Sequence, residues 1–484
     1  MAEAPAAATG RIAPAGFNRL LGAAAWPFAN RRRALATLAL YVLFHAILRW
    51  QSPEALSRDE LVDQAFAQGW AWGYHPEQPP LYTWLIQAAS TAFGPGILAQ
   101  VVVRFAILYG FYAAHYLAAE RALGDPARAG LATAAFLLVY LFGFDALGNN
   151  FTQTLALALF AVLLLYFLLR LDVEGDIVAY LGLGAGLGLG LLSKYSFILF
   201  AGPLLVVCLF DPGLRRRLLD WRALGALLIA AAIFLPHGLW MALGPSDIRA
   251  GFASHLQVPV KLGYVPGVAR GLGSAASALL NLASPLWLVV VVLFGRALLP
   301  GLPADTPHAR WRRFFGRWIV LMAGIALAGI LAGAVQRLKI HHLLPLLLPL
   351  PIYLFLRLAD RPPVPWRLQA LAASALAVSG VVAAILIARP FTGPTWCPRC
   401  DLHLAYGRIA AEIRVAGFGS GTIVADGVHV AGNLRAWFPD QPIFMAQWPQ
   451  FTPPRAALGR QCLAVWRAGA PGGTVPTELG RFLT

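Results

Sequence analysis

Apolar runs of about 20 residues, the length that crosses roughly 30 Å of hydrocarbon, recur along most of this chain. They fall near 34–50, 97–119, 131–147, 152–170, 177–193, 197–210, 223–243, 274–299, 318–336, 341–359 and 368–389, which predicts eleven membrane-spanning helices. After about residue 390 the pattern changes. GTIVA at 421–425, QPIFM at 441–445 and CLAVW at 462–466 are short, rich in β-branched and aromatic residues, and read as strands. Residues 402–416 and 428–438 between them read as helices, so the tail is expected to form a small α/β domain. No solenoid-like repeat or pair of similar halves is visible.

Composition agrees. Hydrophobic residues make up 59% of the 484 and charged residues 12%, whereas a soluble globular chain is about 25% charged. A soluble enzyme, a disordered chain and a fibrous chain are excluded. The formal charge of +16 would suit nucleic acid, but its placement favours another meaning. Only three lysines are present, Lys194, Lys261 and Lys339, so arginine supplies most of the charge. Arg31, Arg32 and Arg33 precede the first span and should stay cytoplasmic. Alternation then places Arg215, Arg216, Arg217 and Arg222, then Arg310, Arg312, Arg313 and Arg317, then Arg361 and Arg367, on that same side. This is a positive-inside topology signal, and no nucleic-acid partner is expected. Residues 1–30 lack the compact pattern of a signal peptide, so the first span is expected to be retained as an anchor. The expected organisation is a cytoplasmic segment at 1–33, a membrane domain at 34–390 with an outer loop at 51–96, and an outer α/β domain at 391–484. Residues 244–273 also fall outside.

Chemistry on the outer side would sit in those regions. Ser57-Arg58-Asp59-Glu60 follows the first span. Ser57 and Glu60 have capping-box spacing, and Asp59 in a first helical turn favours the helix dipole; by themselves these would be structural. Val62, Phe66 and Trp70 recur at helical spacing, as in a helix lying in the membrane interface. A Pro-rich segment, Gln78-Pro79-Pro80-Leu81, follows. An acidic pair held there, at a membrane surface, is placed to take a proton from a hydroxyl nucleophile. Cys397 and Cys400 form a C-x-x-C, Cys462 lies later in the tail, and Cys208 falls within a span. In an oxidising compartment Cys397 with Cys400, or one of them with Cys462, could form a disulfide. A zinc site would need a fourth ligand, for which His403 is the near candidate.

The Asp-Glu pair, the aromatic stretch and the segment His75-Pro76-Glu77-Gln78-Pro79-Pro80-Leu81 resemble the membrane glycosyltransferases of the GT-C superfamily. More narrowly the chain is similar to glycosyltransferase family 39, the protein mannosyltransferase and lipid A aminoarabinose transferase type. Asn149-Asn150, Ser193-Lys194-Tyr195 and Lys339-Ile340-His341-His342 add to the likeness, which covers about residues 34–360. The tail resembles the small outer domains of bacterial members such as galacturonosyltransferases.

The resemblance implies a GT-C type helical membrane protein. It also implies an inverting transfer of sugar from a polyprenyl-phosphate donor to a lipid or glycan acceptor on the periplasmic face of a bacterial inner membrane, among membrane lipids. Asp59 would act as general base or orient the acceptor hydroxyl, and Glu60 would hold Asp59 or the sugar. Lys194 and Lys339, with His341 or His342 and Arg337, would meet the charge of the departing lipid phosphate. The alternative for these lysines is interface anchoring, which is the expected role of Lys261. His75 and Glu77 are candidates for donor phosphate, sugar or a divalent cation. Asn149 and Asn150 stand where relatives carry an acidic residue; an Asn binds sugar but is neither a base nor a charged ligand. Asp145 is placed to compensate. No cofactor is assigned, a divalent metal remaining a candidate without a ligand set. The rival readings are a transporter or flippase of lipid-linked sugars, and a non-catalytic lipid-sugar scaffold.

Overall fold

A computed structural model describes residues 15–52, 55–148, 151–244, 262–303, 305–396, 404–448, 451–453, 461–467, 474–476 and 479–480. Lys261, Asn149, Asn150, Cys397, Cys400 and His403 lie outside the described residues.

The eleven apolar runs are helical over most of their described length. Among the described residues, seven helices are long and apolar enough to cross a membrane: Arg31–Trp50, Ile97–Leu123, Gln153–Val173, Arg222–Leu243, Ala309–Leu331, Ile340–Asp360 and Pro365–Phe391. An eighth arises if Tyr195–Leu209 and Pro212–Leu218, bent by 112°, count as one span. Pro126–Leu138 and Ile177–Ser193 are shorter apolar helices. The expected run at 274–299 is broken in two, Tyr264–Leu282 and Leu286–Phe294. Pro285 at the break has no amide proton to continue a helical ladder. The helix that begins at Pro365 continues to Trp396, past the boundary expected at 390.

Glycine sets how closely three of these helices pack. A methyl at Gly184 would stand 2.5 Å from the Ala226 carbonyl, and one at Gly188 would stand 2.8 Å from Ile233 Cβ. Helix Ile177–Ser193 is therefore a flat face on which Arg222–Leu243 rests, with Gln153–Val173 against its other side. At one end of the bundle Arg310 bridges Asp172 and Asp211 through four contacts of 2.6–2.9 Å. Asp211 also caps helix Pro212–Leu218 by accepting from the Gly213 and Leu214 amides.

The opposite end carries the outer loop and the tail. Strands β1 (Gly421–Ala425), β2 (Ile443–Met445) and β3 (Gln461–Val465) form a parallel sheet in the order β2-β1-β3. Helices Tyr406–Val415 and Val428–Arg435 accompany it. The α/β tail is thus as the sequence pattern predicts.

The loop helix is placed differently from expectation. It spans Arg58–Phe66, and protein covers its apolar face. Phe66 is buried and packs with Tyr74, Trp448 and Val430 in a core shared between the loop and the α/β domain. Trp70 falls beyond the helix, exposed on the loop. A segment 370 residues downstream in the chain covers this apolar face, and local periodicity carries no signal of it.

Candidate active site

Helix Arg58–Phe66 begins with the expected capping box: Ser57 and Glu60 cap one another reciprocally, the Ser57 amide donating to Glu60 Oε2 at 2.9 Å. Glu60 is wholly buried and does more than cap. Its Oε2 lies 2.6 Å from Arg49 Nη2 and its Oε1 lies 2.9 Å from Arg104 Nη2. Burial opposes ionisation, but the two guanidinium charges outweigh it and hold the carboxyl down at about 2. Both oxygens are thereby occupied inside the protein. The expected role of Glu60, holding Asp59 or the sugar, gives way to anchoring the helix to the two spans Arg31–Trp50 and Ile97–Leu123.

The next polar residues on this helix are also buried. Asp63 Oδ1 accepts from Thr83 Oγ1 at 3.0 Å and from Gln153 Nε2 at 3.3 Å. Gln100 Nε2 donates to the Glu60 carbonyl and to Gln64 Oε1. Burial pushes the Asp63 carboxyl up to about 7, with the Thr83, Thr152 and Gln153 hydrogen bonds opposing that rise and the charge of Asp59 adding to it.

Asp59 alone among these side chains is only half-buried. Its Oδ2 accepts from the Phe151 amide at 2.8 Å. Phe151 has φ 103°, a positive value that a residue with a Cβ adopts only under strain, so this amide is aimed at Asp59 at some conformational cost. Lys194, whose Nζ donates to Thr154 Oγ1 at 2.8 Å, is within electrostatic reach of both Asp59 and Lys339. His341 is within reach of Lys194, Lys339 and His342. Asp145 is within reach of Asp59 and Arg104. The structure therefore gathers two half-buried carboxylates, Asp59 and Asp145, and several cationic or imidazole groups at the end of the bundle covered by the α/β domain.

The chain as a whole has counterparts among known proteins. Residues 77–240 match the family described as dolichyl-phosphate-mannose-protein mannosyltransferase. Lipopolysaccharide core galacturonosyltransferase RgtA of Rhizobium johnstonii is 30% identical over 468 residues, covering 92% of this chain and 90% of its own. RgtB of the same organism is 29% identical, covering 93% and 90%. The solved structure of ArnT from Cupriavidus metallidurans bound to undecaprenyl phosphate superposes with a TM-score of 0.60 over 85% of both chains, at 15% identity. The chain belongs to the GT-C glycosyltransferases. It is a membrane glycosyltransferase, and the transporter reading is not favoured.

Other expected site residues of this glycosyltransferase stand at varying distances from that centre. Arg337, Lys339 and His342 are exposed and His341 is half-buried; the Lys339 amide donates to His342 Nδ1 at 3.3 Å. His75 stacks on Phe66 with ring centroids 4.8 Å apart, which ties it to the core under the α/β domain, while Glu77 is exposed. Cys462 is exposed on β3 and Cys208 is buried, and the described residues contain no partner for either. Among the described residues no three His, Cys, Asp or Glu side chains are grouped as a metal site.

Several residues escaped sequence reasoning. Arg49 and Arg104 lie within apolar runs, where an arginine opposite a carboxylate is itself a signal that was available. Asp63 is four residues from Asp59 and so on the same helix face, a spacing that was also legible. Arg389 stands with its Nη1 3.6 Å from where a Gly148 methyl would be, and no local motif marks it.

Proposed function

We propose that this chain is an inverting glycosyltransferase that moves a uronic acid from a polyprenyl-phosphate donor to the lipopolysaccharide core, on the periplasmic face of the inner membrane. The observation that carries this reading is the placement of half-buried Asp59 within electrostatic reach of Lys194, on a helix whose other carboxylates are sealed inside the protein. RgtA and RgtB, named as core galacturonosyltransferases, support the choice of sugar and acceptor, and the lipid phosphate bound to ArnT supports the donor.

In this reading Asp59 takes the proton of an acceptor hydroxyl while that oxygen attacks the anomeric carbon. The bond from that carbon to the lipid-phosphate oxygen breaks, and the phosphate leaves with the electron pair. Lys194, Lys339 and His341, with Arg337 nearby in the chain, meet the charge that develops on it. The Phe151 amide holds Asp59 in one orientation. Asp63, pushed up to about 7 by burial, carries less negative charge beside Asp59 than an ordinary carboxylate would.

The test is transfer by the purified protein in liposomes with polyprenyl-phosphate galacturonate and lipopolysaccharide core. Asp59→Asn keeps the shape and removes the base, so turnover is expected to fall about 10²- to 10⁴-fold with donor binding retained. Wild-type turnover in Asp59→Asn, or a product that keeps the donor's anomeric configuration, would remove the mechanism. Unchanged envelope glycans in cells lacking the protein, read by mass spectrometry, would remove the assignment of acceptor and sugar.

A further inference from the structure

The helix that carries Asp59 is held from two sides. From the membrane domain come Arg49, Arg104, Thr83, Gln153 and Gln100, as described above. The second side is the α/β domain, through helix Val428–Arg435 and strand β2. Asn433, 3% exposed, accepts from the Leu56 amide through Oδ1 at 2.9 Å, just before the helix starts. At Gly432 a Cβ would stand 2.4 Å from the Leu61 carbonyl oxygen and 2.9 Å from Leu61 Cα, so the two helices touch backbone to backbone. Just past the helix, Gln68 pairs with the backbone of β2 in both directions: Ile443 N donates to Gln68 Oε1 at 2.8 Å and Gln68 Nε2 donates to the Ile443 carbonyl at 2.9 Å. Contacts from the α/β domain therefore lie before, along and after the segment that bears Asp59.

We propose that the α/β domain is a positioning element for the catalytic carboxylate, with Asn433, Gly432 and Gln68 fixing where helix Arg58–Phe66 presents Asp59. The proposal rests on the reading of Asp59 as the base. The physical argument is leverage. A nine-residue helix does not hold itself in water, and a displacement of about 1 Å at a reacting group costs of order 100-fold in rate. Side-chain to backbone hydrogen bonds at both ends, with a glycine contact between them, remove the sliding and tilting that the membrane-side anchors near the middle of the helix leave available. None of the three residues needs to touch substrate.

The experiment uses the full-length protein in liposomes with the donor and acceptor of the transfer assay. Asn433→Ala removes the acceptor for the Leu56 amide and is expected to lower kcat about 10-fold while donor KM stays within twofold. Asn433→Asp keeps an oxygen facing that amide and is expected to recover most of the loss, although it gives up the amide proton that Asn433 donates to the His429 carbonyl. A purely structural role inside helix Val428–Arg435 would give the reverse order. Gln68→Ala tests the same idea from the loop side, should Asn433→Ala not fold. Gln461→Ala, whose side-chain hydrogen bonds among the described residues go to Gly417 and Gly419 within the α/β domain, is expected to keep wild-type kcat. Unchanged kcat in both Asn433→Ala and Gln68→Ala, or an equal loss in Gln461→Ala, overturns the proposal. If Asp59→Asn is inactive and the two positioning variants turn over normally, positioning fails and the base assignment stands; if Asp59→Asn is itself active, the base assignment fails.

Discussion

Glu60 and Asp63 are one and four residues from Asp59, yet their environments push the carboxyls in opposite directions. Glu60 faces two guanidinium groups and is held at about 2; Asp63 faces neutral hydrogen-bond donors and is pushed up to about 7. The consequences for stability have opposite signs. The Glu60 pair contributes above the usual carboxyl range, near 4.5, and that contribution is lost as pH falls toward 2. Glu60→Gln leaves Arg49 and Arg104 buried without their counter-charge, so a loss of roughly 3–5 kcal/mol is expected in detergent unfolding at pH 7. Asp63 binds its proton more tightly in the folded protein, so its ionisation costs stability as pH rises from about 4 to about 7. Asp63→Asn is expected to remove that slope and to raise unfolding temperature at pH 8 relative to pH 5, compared with the wild type. An unchanged difference between the two pH values would show that Asp63 is not buried in its neutral form. The capping box at Ser57 was legible in sequence because capping is local; Arg49 and Arg104 stood out as charges inside apolar runs, but their pairing with Glu60 was not legible, because they come from other helices.

At the scale of elements, the eleven apolar runs announced helices because a backbone in hydrocarbon must satisfy its own hydrogen bonds. Which helices touch is decided by shape. Gly184 and Gly188 let helix Arg222–Leu243 sit directly on Ile177–Ser193. Gly184→Leu forces bulk against the Ala226 backbone and is expected to cost about 1–3 kcal/mol, seen as lower yield and a lower unfolding temperature. Gly202, with open space around its Cβ direction, is the control, and Gly202→Ala is expected to be neutral or mildly stabilising. Helix Arg58–Phe66 shows the limit of periodicity as a guide. Its apolar face was real, but periodicity says only that a face is covered, and here protein covers it in place of lipid headgroups.

For the whole molecule, the arginine distribution and the proposed site require the α/β domain and the arginine-rich loops to lie on opposite sides of the membrane. With Cys397 and Cys400 replaced by serine, exposed Cys462 is expected to react with an impermeant maleimide from the periplasmic side. A cysteine introduced at exposed Asp305, in a variant with Cys462 also replaced, is expected to react only after the membrane is opened. The opposite pattern would invert the topology and move the proposed reaction to the cytoplasm. Composition and apolar run length by themselves determined a helical membrane protein with a small α/β tail, and the order of short motifs carried its resemblance to membrane glycosyltransferases, since each of those signals is written in neighbouring residues. Only the tertiary structure decided that Glu60 is an anchor, that Asp63 and Arg104 belong to the same cluster as Asp59, and that the tail grips the helix presenting Asp59. Those outcomes depend on which distant segments meet, and burial and charge act through space with no regard for position in the chain.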